Sequence, residues 1–85
     1  MSTWIKKEKG LFKKLKFKST KQLENFIFKL KIISDAMNHH ADYQNSTNKI
    51  LEIYLLTHDS NQITQKDYEL ADKIDELFSF QENYL

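Results

Sequence analysis

The strongest constraint on the fold is a segment near the middle of the chain in which aliphatic residues alternate with residues that can face water. Leu51, Ile53 and Leu55 share one parity, and Glu52 and Tyr54 fall on the other. This alternation predicts a β-strand with one buried face and one open face. With 85 residues and no cysteine, we expect one small domain (residues 1–85) whose core depends on packing alone.

Two stretches have helical periodicity and recognisable starts. Ser19-Thr20-Lys21-Gln22 has the form of a capping box, with Ser19 as N-cap and Gln22 reaching back. The apolar stripe that follows, which should end near Asn38, comprises Leu23, Phe26, Ile27, Leu30, Ile33 and Met37. Thr64 offers a second N-cap, with Asp67 in the first turn. The stripe of this second helix comprises Leu70, Ala71, Ile74, Leu77 and Phe78.

The N-terminal third predicts a β-hairpin. A short strand begins at Trp4-Ile5, Glu8-Lys9-Gly10 forms the turn, and residues 11–18 form the second strand. Its core-facing side chains are expected to be Leu11, Leu15 and Phe17, and its water-facing ones Lys14, Lys16 and Lys18. Phe12 breaks the alternation and should cover an edge or an interface. With a short strand allowed in the polar stretch 41–48, we predict an α+β fold: an antiparallel sheet of about four strands with two helices packed on one face.

The charge is unevenly distributed. Residues 1–33 hold ten lysines and two glutamates, whereas residues 34–85 hold three lysines and ten acidic residues. A basic half can bind nucleic acid, but these lysines alternate with apolar residues as on a one-sided strand, so we interpret them as a solvated face and edge and expect no nucleic-acid partner. No apolar run is long enough for a membrane span and no signal peptide opens the chain, so we expect a soluble, cytoplasmic protein.

The three histidines of the chain are the candidate functional residues. His39 and His40 follow the predicted first helix, and His58 ends the predicted central strand. Such a cluster suits proton transfer near neutral pH. A histidine at a helix end can equally be a partner of the helix dipole, and one at a strand end an ordinary surface residue. Zinc binding is disfavoured, because adjacent residues rarely chelate one metal and no obvious carboxylate completes the sphere.

The sequence around these histidines resembles a known family. The matching segments are Asp35-Ala-Met-Asn-His-His-Ala-Asp-Tyr43, Asn48-Lys49, Leu51-Glu-Ile-Tyr-Leu-Leu-Thr-His-Asp59, the helix at 64–77, Trp4 and the strand Leu15-Lys-Phe-Lys18. Together they resemble the pterin-4a-carbinolamine dehydratases, also called 4a-hydroxytetrahydrobiopterin dehydratases, over residues 4–77. The resemblance implies a dehydratase that removes water from 4a-hydroxytetrahydropterins, giving quinonoid dihydropterin and recycling a tetrahydrobiopterin-type cofactor.

The resemblance also implies roles for particular residues. His39 and His58 would act on the leaving hydroxyl, and His40 would serve as acid or base and contact the pterin. The residues expected to line the site are Asn38, Leu56, Thr57 and Asp59. Asp35 would orient or charge a histidine, and Tyr43 would wall the pocket or simply pack. Neither a metal nor a cofactor is implied, since the pterin is the substrate.

Partners are implied as well. An aromatic amino-acid hydroxylase is a possible source of the substrate, and the family forms homodimers and tetramers. The alternative function is a non-catalytic interaction module that acts as a dimerisation cofactor for a partner such as a homeodomain transcription factor. Such a module would bind its partner through a helix surface rather than through the histidines. Phe28 and Ile32, which lie outside the apolar stripe of the first helix, are candidates for that surface.

Three departures from the family pattern bear on the site. Ala41 replaces a proline after the histidine pair, and Asn61-Gln62 replaces a Gly-Gly turn. The spacing from His40 to His58 is one residue longer than usual, with the extra residue between Asn45 and Leu51. A β-bulge there would absorb it and keep the central strand in register.

Overall fold

The computed structural model describes residues 4–47 and 49–83, which form four strands and two helices. In chain order these are β1 (Ile5–Lys7), β2 (Gly10–Lys16), α1 (Thr20–Met37), β3 (Asp42–Thr47), β4 (Ile50–Leu55) and α2 (Gln65–Asn83). The strands form one sheet in the order β1-β2-β4-β3, and every neighbouring pair is antiparallel. The predicted α+β class is therefore confirmed. No helix in these ranges is long and apolar enough to cross a membrane.

The core lies between the two helices and one face of the sheet. Its fully or almost fully buried side chains are Leu11, Leu15, Phe17, Leu23, Phe26, Leu30, Leu51, Ile53, Leu55, Leu70, Ala71 and Ile74. Phe17 links the two helices, because its ring centroid lies 5.2 Å from that of Phe26 and 5.4 Å from that of Phe78. Strand β2 ends at Lys16 rather than Lys18, although the Phe17 N–H still donates to the Lys49 carbonyl at 2.8 Å.

Helix α1 begins and ends where the sequence predicts. The Ser19 hydroxyl accepts a hydrogen bond from the Gln22 N–H at 3.1 Å, and the Gln22 side chain accepts one from the Lys18 N–H at 3.2 Å. At the other end Asn38 is left-handed, with φ 52°, and its N–H donates to the carbonyls of Asp35 and Ser34. This turn ends the helix and directs the following histidines away from its axis.

Strand β3 is longer and more regular than the sequence suggests. It pairs with β4 from Asp42 onward, opposite Tyr54, and its register shifts between Asn45 and Thr47. This shift is the predicted bulge. It absorbs one extra residue of β3, while the pairing of β4 with β2 stays in register from Ile50 to Leu55. Asn48, which belongs to one of the segments that resemble the family, lies outside the described residues.

The face of the sheet opposite the helices carries an aromatic pair. Phe12 and Tyr54 are cross-strand partners whose ring centroids are 4.8 Å apart, and the Lys7 ammonium lies 4.1 Å above the Phe12 ring. Phe12 is therefore buried by its own chain, in the middle of this open face rather than at an edge. On the helix side Lys13 shares the core parity, and its ammonium lies 2.7 Å from Asp75 of α2.

Candidate active site

All three histidines lie at the end of the sheet where β4 finishes and β3 begins. His39 and His40 follow the left-handed Asn38, and His58 opens the turn after β4. Hydrogen bonds and chain connections join them in a closed ring of residues: His39, Asp67, Thr57, His58, Asp42 and His40. The fold therefore brings together the two histidine motifs, which are separated by 17 residues of chain.

His39 is held in the interior by the first turn of α2. Its Nε2 lies 2.6 Å from Oδ1 of Asp67, which is completely buried, and His39 itself is 9% exposed. Oδ2 of Asp67 accepts hydrogen bonds from the Thr57 hydroxyl at 2.9 Å and from the Thr64 N–H at 2.8 Å. Asp67 thus occupies Nε2 of His39 and leaves Nδ1 as the ring nitrogen that it does not contact.

His40 and His58 are exposed, and each has its own carboxylate. Nε2 of His40 lies 2.9 Å from Oδ1 of Asp35, one turn earlier on α1. Nε2 of His58 lies 3.1 Å from Oδ2 of Asp42, at the start of β3. The side chains of both histidines are about two-thirds exposed, so a ligand at the surface can reach both rings.

The family-model comparison and the related sequences identify the family of this chain. The family model described as pterin 4 alpha carbinolamine dehydratase matches residues 1–77. The chain belongs to this family. A protein of Sulfurisphaera tokodaii is 42% identical over 79 residues, which cover 93% of this chain and 84% of that protein. One from Prochlorococcus marinus strain NATL2A is 38% identical over 77 residues, covering 91% and 80%. Both are named "Putative pterin-4-alpha-carbinolamine dehydratase".

A solved structure shares the fold. The crystal structure of a transcriptional coactivator/pterin dehydratase from Brucella melitensis superposes with a TM-score of 0.80. The match covers 87% of this chain and 80% of the other, at 22% identity. At this identity the likeness shows the fold alone.

The other predicted site residues fall into two groups. Leu56 is half-buried beside His58, and Thr57 binds Asp67 and, at 2.6 Å, the Thr64 hydroxyl. Asn38 and Asp59 are exposed, and Asn38 also forms the end of α1. Tyr43 packs against the core with part of its surface and borders the hollow next to His58. Whether these residues contact a pterin remains a prediction.

The departures from the family pattern are accommodated locally. Asn61 takes the left-handed conformation, φ 56°, that a glycine would otherwise supply, and Thr57 and Gln62 close the turn with two backbone hydrogen bonds of 2.9 and 3.3 Å. Gln62 itself needs no positive φ. Ala41, in the place of the family's proline, is partly buried against the core. The backbone between His40 and Asp42 is therefore fixed by packing and by the start of β3.

Two residues of this site were not expected from the sequence. Asp67 was predicted only as an acidic residue in the first turn of α2, and Asp42 was given no role. Their partners lie 28 and 16 residues away, so no local pattern reveals them. Within residues 4–47 and 49–83, no group of three or more histidine, cysteine or acidic side chains is arranged to hold a metal ion.

Proposed function

We propose that this protein is a 4a-hydroxytetrahydropterin dehydratase that works by histidine acid/base catalysis. The observation that supports this most directly is the pairing of every histidine with a carboxylate at one end of the sheet: His39 with Asp67, His40 with Asp35, and His58 with Asp42. A carboxylate that contacts one ring nitrogen orients the imidazole and leaves the other nitrogen to exchange a proton with the substrate. Family membership independently supports a dehydratase.

The reaction is an elimination. Hydroxide leaves C4a of the pterin while the proton on N5 departs, giving quinonoid dihydropterin and water. Hydroxide is a poor leaving group, so an imidazolium that protonates it during cleavage lowers the barrier, and a neutral imidazole or water collects the N5 proton. The chemistry as proposed requires no metal and no organic cofactor.

The exposure of the three rings suggests how they share this work. His40 and His58 are open to a surface ligand, so we assign them the direct contacts with the pterin and the hydroxyl. His39 is nearly buried, and Asp67 occupies its Nε2. It therefore acts on the hydroxyl only through the remaining edge of its ring, or by fixing the backbone that carries His40.

The substrate class follows from the reaction. A 4a-hydroxytetrahydropterin is formed when a pterin-dependent monooxygenase hydroxylates its substrate, so an aromatic amino-acid hydroxylase is the expected source. The dehydratase would return the pterin to a form that can be reduced again. We further propose that the protein acts as a homodimer or tetramer.

The test is stopped-flow loss of the 4a-hydroxytetrahydropterin absorbance, with the substrate generated by a hydroxylase. Wild type should accelerate the decay. His40→Ala and His58→Ala should each lower the rate constant by about 100-fold or more, the range expected for loss of a general acid or base. Lys21→Ala, an exposed change on α1, is the control and should match wild type. Folded wild type without any acceleration would refute the proposal.

A second candidate function is an interaction module. Phe28 and Ile32 lie four residues apart on α1 and are 66% and 54% exposed, so they form an apolar strip that another chain could cover. Phe28→Glu should change the sedimentation of an assembly and leave dehydration intact, whereas His40→Ala should do the reverse. If only Phe28→Glu alters a measurable property, the interaction module is the better description.

A further inference from the structure

A hollow of about 410 Å³ lies on the open face of the sheet next to His58. We call it the side pocket; its lining includes Glu8, Lys9, Asp42, Tyr54, His58 and Asn61, and Tyr43 and Leu56 border it as well. Its volume is within the range of small-molecule sites, roughly 300–1,000 Å³. The other two histidines do not border it, so it extends the candidate active site in one direction only.

One wall of the side pocket exists because of the only glycine in the chain. Gly10 has φ +119°, and a Cβ placed there would lie 2.1 Å from the Leu55 carbonyl oxygen and 3.1 Å from the Cβ of Leu56. Any other residue would push the β1–β2 turn away from the end of β4. The glycine therefore lets Glu8 and Lys9 stand directly beside the strand that leads to His58.

Tyr54 forms a rigid surface in the side pocket. Its ring packs on Phe12, which is 8% exposed and covered in turn by the Lys7 ammonium, so the position of the Tyr54 ring is well fixed. Lys9 lies over the Tyr54 ring at 6.0 Å. The described part of the chain gives the Tyr54 hydroxyl no hydrogen-bond partner, so this group is available to a ligand.

The charges around the side pocket favour a neutral ligand group. The Lys9 ammonium and the His58 ring are matched by the carboxylates of Glu8 and Asp42, so no net positive field attracts an anion. A phosphate or carboxylate would therefore gain no net electrostatic attraction in this pocket. The Tyr54 hydroxyl and the Asn61 amide offer both donors and acceptors, which suits the hydroxyl groups of a short uncharged chain.

The connectivity of a pterin relates this pocket to the reaction. In the tetrahydropterin ring C4a is bonded to N5, and N5 to C6, so C6 lies two bonds from the carbon that loses hydroxide and the first atom of its substituent lies three bonds from it. If His58 acts at C4a, the substituent must lie close to His58. We propose that the side pocket holds the C6 substituent, and that Tyr54 is a specificity-determining residue that selects a neutral hydroxylated chain there. This inference rests on the proposed function and names the part of the substrate that it recognises.

The test compares ligands that differ only at C6. Calorimetry should show that a 7,8-dihydropterin with a 1,2-dihydroxypropyl group at C6 binds about tenfold more tightly than one with a methyl group, as one or two neutral hydrogen bonds allow. A third ligand, whose C6 chain ends in phosphate, should bind more weakly than the dihydroxypropyl compound. The matching 4a-hydroxy substrates should show the first difference in KM rather than in kcat.

The decisive variant is Tyr54→Phe, which keeps the ring and its contact with Phe12. It should weaken binding of the dihydroxypropyl ligand by about three- to tenfold, leave the methyl ligand unchanged, and keep kcat within about twofold. Tyr68→Phe makes the same chemical change on α2, away from the side pocket, and should change nothing.

The outcomes separate this inference from the proposed function. Equal affinity for the methyl and dihydroxypropyl ligands, an equal effect of Tyr54→Phe on both, or tightest binding of the phosphate compound would overturn the side-pocket assignment even if dehydration is intact. Discrimination at C6 without any dehydration would instead support the side pocket as a pterin subsite and refute the enzyme.

Discussion

Replacing Asp67 with alanine should destabilise the protein more than any other loss of a surface or core carboxylate in the described ranges. Asp67 is 0% exposed and accepts three hydrogen bonds, at 2.6 Å from His39, 2.9 Å from Thr57 and 2.8 Å from the Thr64 N–H. Truncation leaves these groups without their acceptor in a dry environment, and breaking such a buried pair costs about 3–5 kcal/mol. A chain of this length has a total stability of about 4–13 kcal/mol, so the variant should lose at least about a quarter of it.

The assay is urea denaturation of wild type and variants at one protein concentration, which matters if the protein self-associates. Asp75→Ala is the matched control. Asp75 also accepts two side-chain hydrogen bonds, from Trp4 at 3.0 Å and Lys13 at 2.7 Å, but its side chain is 25% exposed. Because water can replace some of these contacts, its loss should cost only about 1–2 kcal/mol. Equal losses of free energy of unfolding for the two variants would refute the reasoning from burial.

Two further predictions concern the backbone. Gly10→Ala should lower the free energy of unfolding by about 1–3 kcal/mol or more, because a side chain there requires a strained positive φ and meets the Leu55 carbonyl; a change below about 0.5 kcal/mol in urea denaturation would contradict this. Ser19→Ala should cost about 1 kcal/mol through loss of the α1 N-cap, as measured by thermal unfolding. Ser60→Ala, an exposed change in the turn after β4, is its control and should be nearly neutral.

The sequence predicted most of the fold because its signals are local. The alternation of Leu51, Ile53 and Leu55 and the capping pattern at Ser19 each describe neighbouring residues, and the structure places them as expected. The bulge between Asn45 and Thr47 could also be predicted, since the spacing between the histidine motifs is one residue longer than in the family that the sequence resembles.

What the sequence did not predict depends on contacts between distant segments. Phe12 was expected at an edge or an interface, yet it is buried by Tyr54 and Lys7 from neighbouring strands. Lys13 lies on the same side of β2 as the buried Leu11 and Leu15, where the sequence shows no neighbouring acidic partner. Its counter-ion, Asp75, lies 62 residues away on α2. Such positions become interpretable only when the strand order and the helix placement are known.

Asp67 shows why one part of a candidate site can be predicted from the sequence and another part cannot. Its Oδ2 stabilises the start of α2, because it accepts a hydrogen bond from the Thr64 N–H. The sequence predicts part of this local role, since it places an acidic residue in the first turn of the helix. Its Oδ1 serves the site, because it holds His39 from α1. A single carboxylate thus fixes the start of one helix relative to the histidine pair after the other. If the sequence of α2 were shifted by one residue along the helix, the side chain of Asp67 would point about 100° away around the helix axis and would no longer contact His39. The orientation of this histidine therefore depends on the register of α2.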